Sequence, residues 1–213
     1  MLDAPAFIAS NTKLLSPPLV PEIVLHLAEE SLPIWLKTEE ELGEINVPPP
    51  YWAFAWAGGQ ALARYILDHR ELFLDKRVLD LGAGSGLTAI AAMKAGARSC
   101  LANDIDAISI AAIALNAPAN GVTLEVTAQD LLAGAPGAFD VILVGDLFYE
   151  RQLADRVLAF IEASARNGAL VLIGDPKRNY FPPGRFQKAA EYEVAVTREL
   201  EDQTIKRTAV WRI

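Results

Sequence analysis

Residues 78–86 read VLDLGAGSG, a short apolar stretch with an acid inside it that runs into three glycines at alternate positions. An apolar, alanine-rich segment follows and predicts a helix. A strand that passes through a glycine turn into a helix N-terminus brings bare backbone close to a ligand and points unpaired N–H groups at it. The stretch therefore predicts a nucleotide-like ligand, with Gly82 and Gly84 among its contacts.

Two residues separate this turn from a dinucleotide-binding one. The dinucleotide fingerprint needs a small residue five positions after the first glycine to seat a pyrophosphate, and Leu87 stands there. Asp80 precedes Gly82 by two residues and faces the ligand from the strand end, where a carboxylate repels a pyrophosphate and suits a cation. S-adenosyl-L-methionine carries a sulfonium and an ammonium group, so the acid favours this cofactor over NAD. The alternative is that Asp80 only caps the following turn.

Composition bounds the class of protein. A chain of 213 residues suffices for one α/β domain with a large core and is too short for two domains of ordinary size. The formal net charge of −8, without a block of Lys and Arg, argues against nucleic acid and favours a basic protein or peptide as partner. One Cys and two His leave little for a zinc site, so we expect no metal. No apolar run approaches the roughly 20 residues of a membrane span, so we expect no membrane partner. The first 36 residues hold one basic residue, Lys13, and four acids, unlike a signal or transit peptide, so we expect a cytoplasmic location.

Three consecutive prolines at 48–50 mark the clearest internal boundary, because the residue before each proline is pushed to extended backbone. We expect an N-terminal extension over residues 1–47 and the main domain over 48–213. The extension is expected to be loosely ordered to about Ser16 and to contain one amphipathic helix from Pro21 to Ser31.

Strands and helices are predicted to alternate along the main domain, after a first helix that begins at about Trp56. Strands are expected at 77–81, 98–103, 122–127, 139–145 and 169–173, and helices at 85–95, 106–117 and 150–165. A short helix near 184–190 and two strands at about 190–199 and 204–212, joined by a polar turn at 201–203, complete the chain. This alternation predicts a mostly parallel sheet that finishes in an antiparallel hairpin, the layout of the α/β, seven-stranded, Rossmann-like class I methyltransferase fold.

Ligands in such sheets bind at the carboxyl ends of the strands. Asp104 lies 22 positions after Gly82, the spacing at which an acid meets the ribose hydroxyls, and Ile105 would then pack on adenine. After the third strand, Asp130 would accept a hydrogen bond from the adenine amino group and Leu131 would cover the ring. For both acids the alternative is an ordinary turn or loop role.

The fourth strand leads to Gly145, which permits close approach of a ligand, and then to Asp146 and Tyr149. A methyl-accepting amine would arrive here. Its ammonium form, with a pKa of about 10.4 for lysine, would be held by the Asp146 carboxylate and oriented by aromatic walls, which include Trp56. The alternative is that Asp146 and Tyr149 simply begin a helix, with the aspartate as its N-cap.

Five segments carry a resemblance to a known family: PYWAFAWAGGQALARYILD, VLDLGAGSG, LANDID, GDLFYE and LIGDP. From about Pro49 to Trp211 the chain resembles the family-16 seven-stranded protein methyltransferases, and most closely the electron transfer flavoprotein beta-subunit lysine methyltransferases. The resemblance implies a lysine-site motif formed by Asp146 and Tyr149. It also implies contacts to S-adenosylmethionine at Trp56, Asp80, Gly82, Asp104, Leu131 and Gly145.

The implied substrate is lysine in the beta subunit of electron transfer flavoprotein, with a ribosomal stalk protein as a further substrate of bacterial relatives. Lys177 follows LIGDP where animal relatives are expected to have glycine, so the substrate contacts at that loop are expected to differ. The first residues lack the arginines of a transit peptide, which favours a bacterial form.

We therefore expect a monomeric, S-adenosylmethionine-dependent protein-lysine N-methyltransferase. The nearest alternative is the same chemistry on a ribosomal protein, a small amine or a protein arginine. A partner protein that binds the cofactor without catalysis is a second alternative. An NAD-dependent oxidoreductase is a third, which Leu87 and Asp80 disfavour.

Overall fold

The computed structural model describes residues 3–29, 50–196 and 204–213. Within these residues the α-helices are α1 (Ala4–Asn11), α2 (Ala57–Asp68), α3 (Leu87–Lys94), α4 (Ala107–Ala119) and α5 (Arg151–Arg166). The strands are β1 (Lys13–Leu15), β2 (Leu25–Leu27), β3 (Arg77–Leu81), β4 (Ser99–Asn103), β5 (Glu125–Thr127), β6 (Val141–Gly145), β7 (Leu170–Asp175), β8 (Gln187–Ala195) and β9 (Ile205–Arg212). Short 3₁₀ turns cover Tyr51–Ala53, Arg70–Leu72 and Leu131–Ala133.

Seven of the strands form one sheet in the order β5-β4-β3-β6-β7-β9-β8. Strands β3 to β7 are paired in parallel, and β9 lies antiparallel between β7 and β8. The sheet direction reverses only after β7, where the chain adds a C-terminal pair without an intervening helix. The predicted fold, a mostly parallel seven-stranded sheet that ends in an antiparallel hairpin, is confirmed.

Apolar side chains cover both faces of this sheet, which explains why the central strands read as nearly continuous apolar runs. Successive residues of β6 point to opposite faces: Leu143 packs with α2 and α3, and Ile142 and Val144 pack with α5. Five-residue strands that are buried on both sides place their carboxyl ends at one edge, next to the glycine turn after β3.

The N-terminus of α2 packs unusually close to the ends of β6 and β7. A Cβ on Gly58 would lie 2.1 Å from the carbonyl oxygen of Gly174, and one on Gly174 would lie 2.1 Å from the carbonyl oxygen of Gly58. Only glycine permits this approach, because any side chain would push the helix off the sheet. The glycines of this region therefore have a packing role that brings α2 to the edge where the strand-end acids lie.

The predicted helix from Pro21 to Ser31 is wrong in its described part, residues 21–29, because β2 lies there and pairs antiparallel with β1. Ile23, Leu25 and Leu27 alternate with more exposed neighbours, which is the period of a strand, and all three are buried against α2 and its neighbours. The backbone N–H groups of Val24 and His26 donate to asparagines of α4 at 3.0 and 2.8 Å. The first residues are also ordered, as α1, where a loose segment was expected.

Two boundaries near the C-terminus also differ. The predicted short helix near 184–190 is wrong, because β8 begins at Gln187 and continues in sheet pairing to Ala195. The predicted strand at 122–127 shortens to β5. The polar turn at 201–203 and the expected domain boundary at 47/48 lie outside the described residues, so both stay predictions. No helix in the described ranges is long and apolar enough to span a membrane.

Candidate functional site

The turn after β3 has the backbone that its glycines predict. Gly82, Gly84 and Gly86 have φ values of 66°, 53° and 82°, in the left-handed region that side chains disfavour. A Cβ on Gly82 would also lie 2.6 Å from a side-chain carbon of Leu147. The turn leads directly into α3, with Gly86 as its N-cap, so its backbone lies at the carboxyl end of the central strand.

Asp80 lies beneath this turn with 1% of its surface exposed. Its carboxylate accepts hydrogen bonds from the backbone N–H of Ala89, at 2.9 Å, and from the side chain of Thr88. Burial raises its pKa to about 6, and the nearby charge of Asp104 adds to this rise. The structure thus gives Asp80 the capping role that was the alternative, at the N-terminus of α3, while direct contact with a ligand stays a prediction.

Asp104 follows β4 and is tied to the glycine turn. Its Oδ2 accepts the backbone N–H of Gly84 at 2.8 Å, and its Oδ1 accepts that of Asp106 at 3.0 Å. The backbone N–H of Ile105 is a third donor to this carboxylate, so one of its four lone pairs is left for a ribose hydroxyl. Burial raises the pKa of this carboxyl. Ile105 beside it is 73% exposed, an apolar surface at the place where an adenine ring was expected to pack.

Asp106 is the N-cap of α4 and accepts the backbone N–H groups of Ile108 and Ser109. Asp130 has a similar local role: it caps the 3₁₀ turn that begins at Leu131 and pairs with Arg156 at 2.6 Å. These contacts match the loop role that was the alternative for Asp130. Its contact with adenine, and that of the half-buried Leu131, stay predictions.

Asp146 leaves β6 with a φ of 57° and is 8% exposed. Its Oδ2 accepts the backbone N–H of Gly59, near the start of α2, at 2.8 Å. Its Oδ1 accepts the Nη2 and Nε groups of Arg178 at 2.8 and 3.0 Å. The next helix, α5, is capped by Glu150. The reading of Asp146 as the N-cap of α5 is therefore wrong, and this carboxylate joins three distant segments instead.

Aromatic rings lie beside this carboxylate. The ring centroid of Tyr149, which is 43% exposed, lies 5.5 Å from that of Tyr51, which lies 6.1 Å from that of Trp56. The guanidinium carbon of Arg178 lies 5.3 Å from the Trp56 ring centroid. By contrast Trp52 is fully buried in the cluster that joins α1 to α4, so Trp56 and not Trp52 faces the candidate site.

Burial raises the pKa of Tyr149 to about 12, with further contributions from Tyr51 and Asp104. The phenol is therefore protonated at neutral pH and is able to donate a hydrogen bond. It lacks the pKa of a general base.

Asp175 and Arg178 were not singled out from the sequence. Asp175 ends β7 with 0% exposure, its Oδ1 accepts the backbone N–H of Arg178 at 2.7 Å, and its Oδ2 has no hydrogen-bond partner within the described residues. Burial, then the charge of Asp146, raises its pKa to about 7. The signal available was the segment Asp175-Pro176-Lys177-Arg178 directly after a buried strand, a polar and basic stretch that fits either a substrate entrance or a solvated loop.

Comparison with known proteins identifies the family. The sequence model of the family "Ribosomal protein L11 methyltransferase (PrmA)" matches residues 60–166. The electron transfer flavoprotein beta subunit lysine methyltransferase of Xenopus laevis is 38% identical and covers 97% of this chain and 85% of its own length. The human protein of that name is 37% identical over 97% of this chain and 80% of its own length. A ribosomal protein L11 methyltransferase of Geobacter sulfurreducens is 38% identical, over 79% of this chain but 56% of its own length.

Solved structures agree with this assignment. The ribosomal protein L11 methylase of Lactobacillus delbrueckii superimposes with a TM-score of 0.50 at 26% identity and covers 70% of this chain and 75% of its own. The magnesium protoporphyrin IX methyltransferase of Synechocystis was solved with bound S-adenosylmethionine. It superimposes with a TM-score of 0.54 at 16% identity and covers 73% of this chain and 78% of its own. At that identity the match shows a shared fold and no more. This chain belongs to the S-adenosylmethionine-dependent methyltransferases with a PrmA-type domain, and within them to the family of the electron transfer flavoprotein beta subunit lysine methyltransferases.

Proposed function

We propose that this protein transfers methyl groups from S-adenosylmethionine to lysine side chains of the electron transfer flavoprotein beta subunit. The relatives that cover nearly the whole chain carry that activity in their names. The observation that carries the proposal is a site built for a cation at the end of β6, where the Asp146 carboxylate and the face of Trp56 meet.

The residues around the glycine turn fit the cofactor of this family. Bound S-adenosylmethionine supplies a methyl group on a positively charged sulfur. The remaining lone pair of Asp104 suits a ribose hydroxyl, and the exposed Ile105 suits the adenine face. The buried acid beneath the turn, Asp80, favours a cation above it through its charge.

At the amine site, Asp146 attracts the substrate ammonium, and the rings of Trp56 and Tyr149 orient it and exclude water. The amine must lose a proton before it can attack. Tyr149 does not take that proton, because its pKa is already about 12. Positioning of the nitrogen therefore contributes more than a strong base does.

The test is methylation of purified electron transfer flavoprotein by this protein and S-adenosylmethionine, read by mass spectrometry of the beta subunit. Purified ribosomal protein L11 in a parallel reaction tests the alternative acceptor. We expect a mass gain on lysines of the flavoprotein. An unmodified flavoprotein, or labelling of L11 alone, contradicts the proposal.

The variant Asp146→Asn tests the assigned role, because asparagine still accepts the Gly59 N–H but does not attract an ammonium. Loss of a charged hydrogen bond predicts a fall in kcat/KM of roughly tenfold to a hundredfold. Cofactor affinity, measured by calorimetry, should stay within about threefold. Asp155→Asn, an exposed site on α5, is the matched control. The expected monomeric state, cytoplasmic location and additional ribosomal substrate stay predictions.

A further inference from the structure

A cation of the chain itself lies in the proposed amine site. Two nitrogens of the Arg178 guanidinium donate to Oδ1 of Asp146, and its central carbon lies over the ring of Trp56. A carboxylate and an aromatic face are the two features proposed above to recognise the ammonium of a substrate lysine. The site therefore has the chemistry expected of it, and Arg178 is its present occupant.

The hydrogen bonds leave little room for a second cation. A carboxylate oxygen has two lone pairs, and both of those on Oδ1 of Asp146 face donors from Arg178. The other oxygen, Oδ2, already accepts the backbone N–H of Gly59. The side chains of Arg178 and Asp146 are 17% and 11% exposed, so the ion pair is largely shielded from solvent.

The charge balance of the site also favours exchange over addition. Two cations beside Asp146 would repel each other in a poorly solvated place, and the buried Asp175 nearby offsets this only in part because its pKa is raised to about 7. Replacing one cation by another leaves the net charge unchanged. The neighbouring Asp175 holds the backbone N–H of Arg178, so the side chain is able to swing away while its main chain stays anchored.

We propose that Arg178 is a specificity-determining residue that competes with the substrate lysine for Asp146. The guanidinium holds the amine site closed until an incoming ammonium displaces it. Only acceptors whose surrounding residues add binding energy displace it efficiently, so Arg178 disfavours isolated alkylamines and free lysine. This inference rests on the proposed role of Asp146 as the group that holds the amine.

The test uses n-butylammonium as the probe, with the protein saturated by S-adenosylhomocysteine. The variant Arg178→Met removes the cation but keeps an unbranched chain against Trp56. We expect its dissociation constant for n-butylammonium, measured by calorimetry, to fall about tenfold relative to the unmodified protein, which corresponds to about 1.4 kcal/mol. Arg185→Met, which removes an exposed arginine paired with Glu162, should leave the constant unchanged. The double variant Asp146→Asn, Arg178→Met should lose the gain.

Kinetics provide a second readout. In Arg178→Met the KM for an acceptor should fall by a larger factor than kcat changes, since the competitor for Asp146 is removed. An arginine that only clamps the structure would instead lower the melting temperature and leave n-butylammonium binding unchanged, and that result would overturn the inference. If Arg178→Met does not fold, Arg178→Gln replaces it, because glutamine keeps a donor for Asp146 but carries no charge. We expect this variant to bind n-butylammonium several-fold more tightly than the unmodified protein. Unchanged affinity in this variant would also overturn the inference.

Because n-butylammonium reports on the site without any acceptor protein, this experiment is independent of the flavoprotein assay. A protein that fails to methylate the flavoprotein but binds n-butylammonium more tightly without Arg178 would refute the proposed substrate and support the competition. Methylation of the flavoprotein, with no change in n-butylammonium binding in Arg178→Met, would support the proposed substrate and refute the competition.

Discussion

Asp175 should make the stability of this protein depend on pH in a measurable way. The carboxyl group is fully buried at the end of β7, and burial together with the charge of Asp146 raises its pKa from 3.8 to about 7. Between these two values the folded protein holds a proton that the unfolded chain has released. The stability that this group contributes is therefore fully present below about pH 4 and is lost as the pH rises through 7.

The size of the effect follows from the same two pKa values. They differ by about 3, and each pKa unit corresponds to about 1.4 kcal/mol, so the loss between pH 4 and pH 8 is about 4 kcal/mol. That is a large part of the roughly 5 to 15 kcal/mol by which a domain is stable. Asp175→Asn removes the titration, and its amide oxygen is able to accept the same N–H of Arg178.

Urea unfolding of both proteins at several values from pH 4 to pH 8 measures this difference. We expect the free energy of unfolding of the variant to rise by up to about 4 kcal/mol relative to that of the wild type between pH 4 and pH 8. Any constant cost of burying the amide group cancels in the comparison between pH values. Asp155→Asn, which removes an acid from the exposed surface of α5, separates burial from net charge. Two results would refute the reasoning: the free energies of unfolding of the wild type and Asp175→Asn change in parallel with pH, or the variant becomes less stable relative to the wild type as the pH rises.

Three further predictions concern packing, the cofactor and the amine site. Gly58→Ala should cost about 3 kcal/mol or more in urea unfolding, because its Cβ would lie 2.1 Å from a β7 carbonyl oxygen. Gly59→Ala should be nearly neutral, because its Cβ would lie 3.8 Å from the Leu87 side chain. Equal costs would contradict the close approach of α2. Asp104→Ala should weaken S-adenosylmethionine binding, measured by calorimetry, by roughly tenfold to a hundredfold. The control Asp75→Ala removes an acid from an exposed ion pair with Arg98 and should leave the affinity unchanged. Equal affinities of the two variants would show that Asp104 does not bind the cofactor. Tyr149→Phe should change kcat by less than about threefold, because a phenol with a pKa of about 12 stays protonated at neutral pH and cannot accept the proton. A loss of more than about a hundredfold would show that the hydroxyl takes part in proton transfer.

The core of the fold was predictable because its signals are local. The glycines of 82–86 need left-handed backbone, the central strands are apolar on both faces, and the helices between them begin where the sequence indicates. Asp106 as the cap of α4 follows from the same kind of short-range hydrogen bonding. The N-terminal segment was misread because Ile23, Leu25 and Leu27 fit a strand only once a partner strand and the asparagines of α4 are present.

The sequence by itself determined the sheet, the turn and which acids stand at strand ends, because each depends on residues that are neighbours in the chain. Only the tertiary structure decided what those acids contact. Asp146 meets the N–H of Gly59, which lies 87 positions away, and the guanidinium of Arg178, which lies 32 positions away. These partners are chosen by how closely α2 packs on β6 and β7, a distance that no local pattern records. The identity of the cation at the amine site is therefore a property of the packing rather than of the motif.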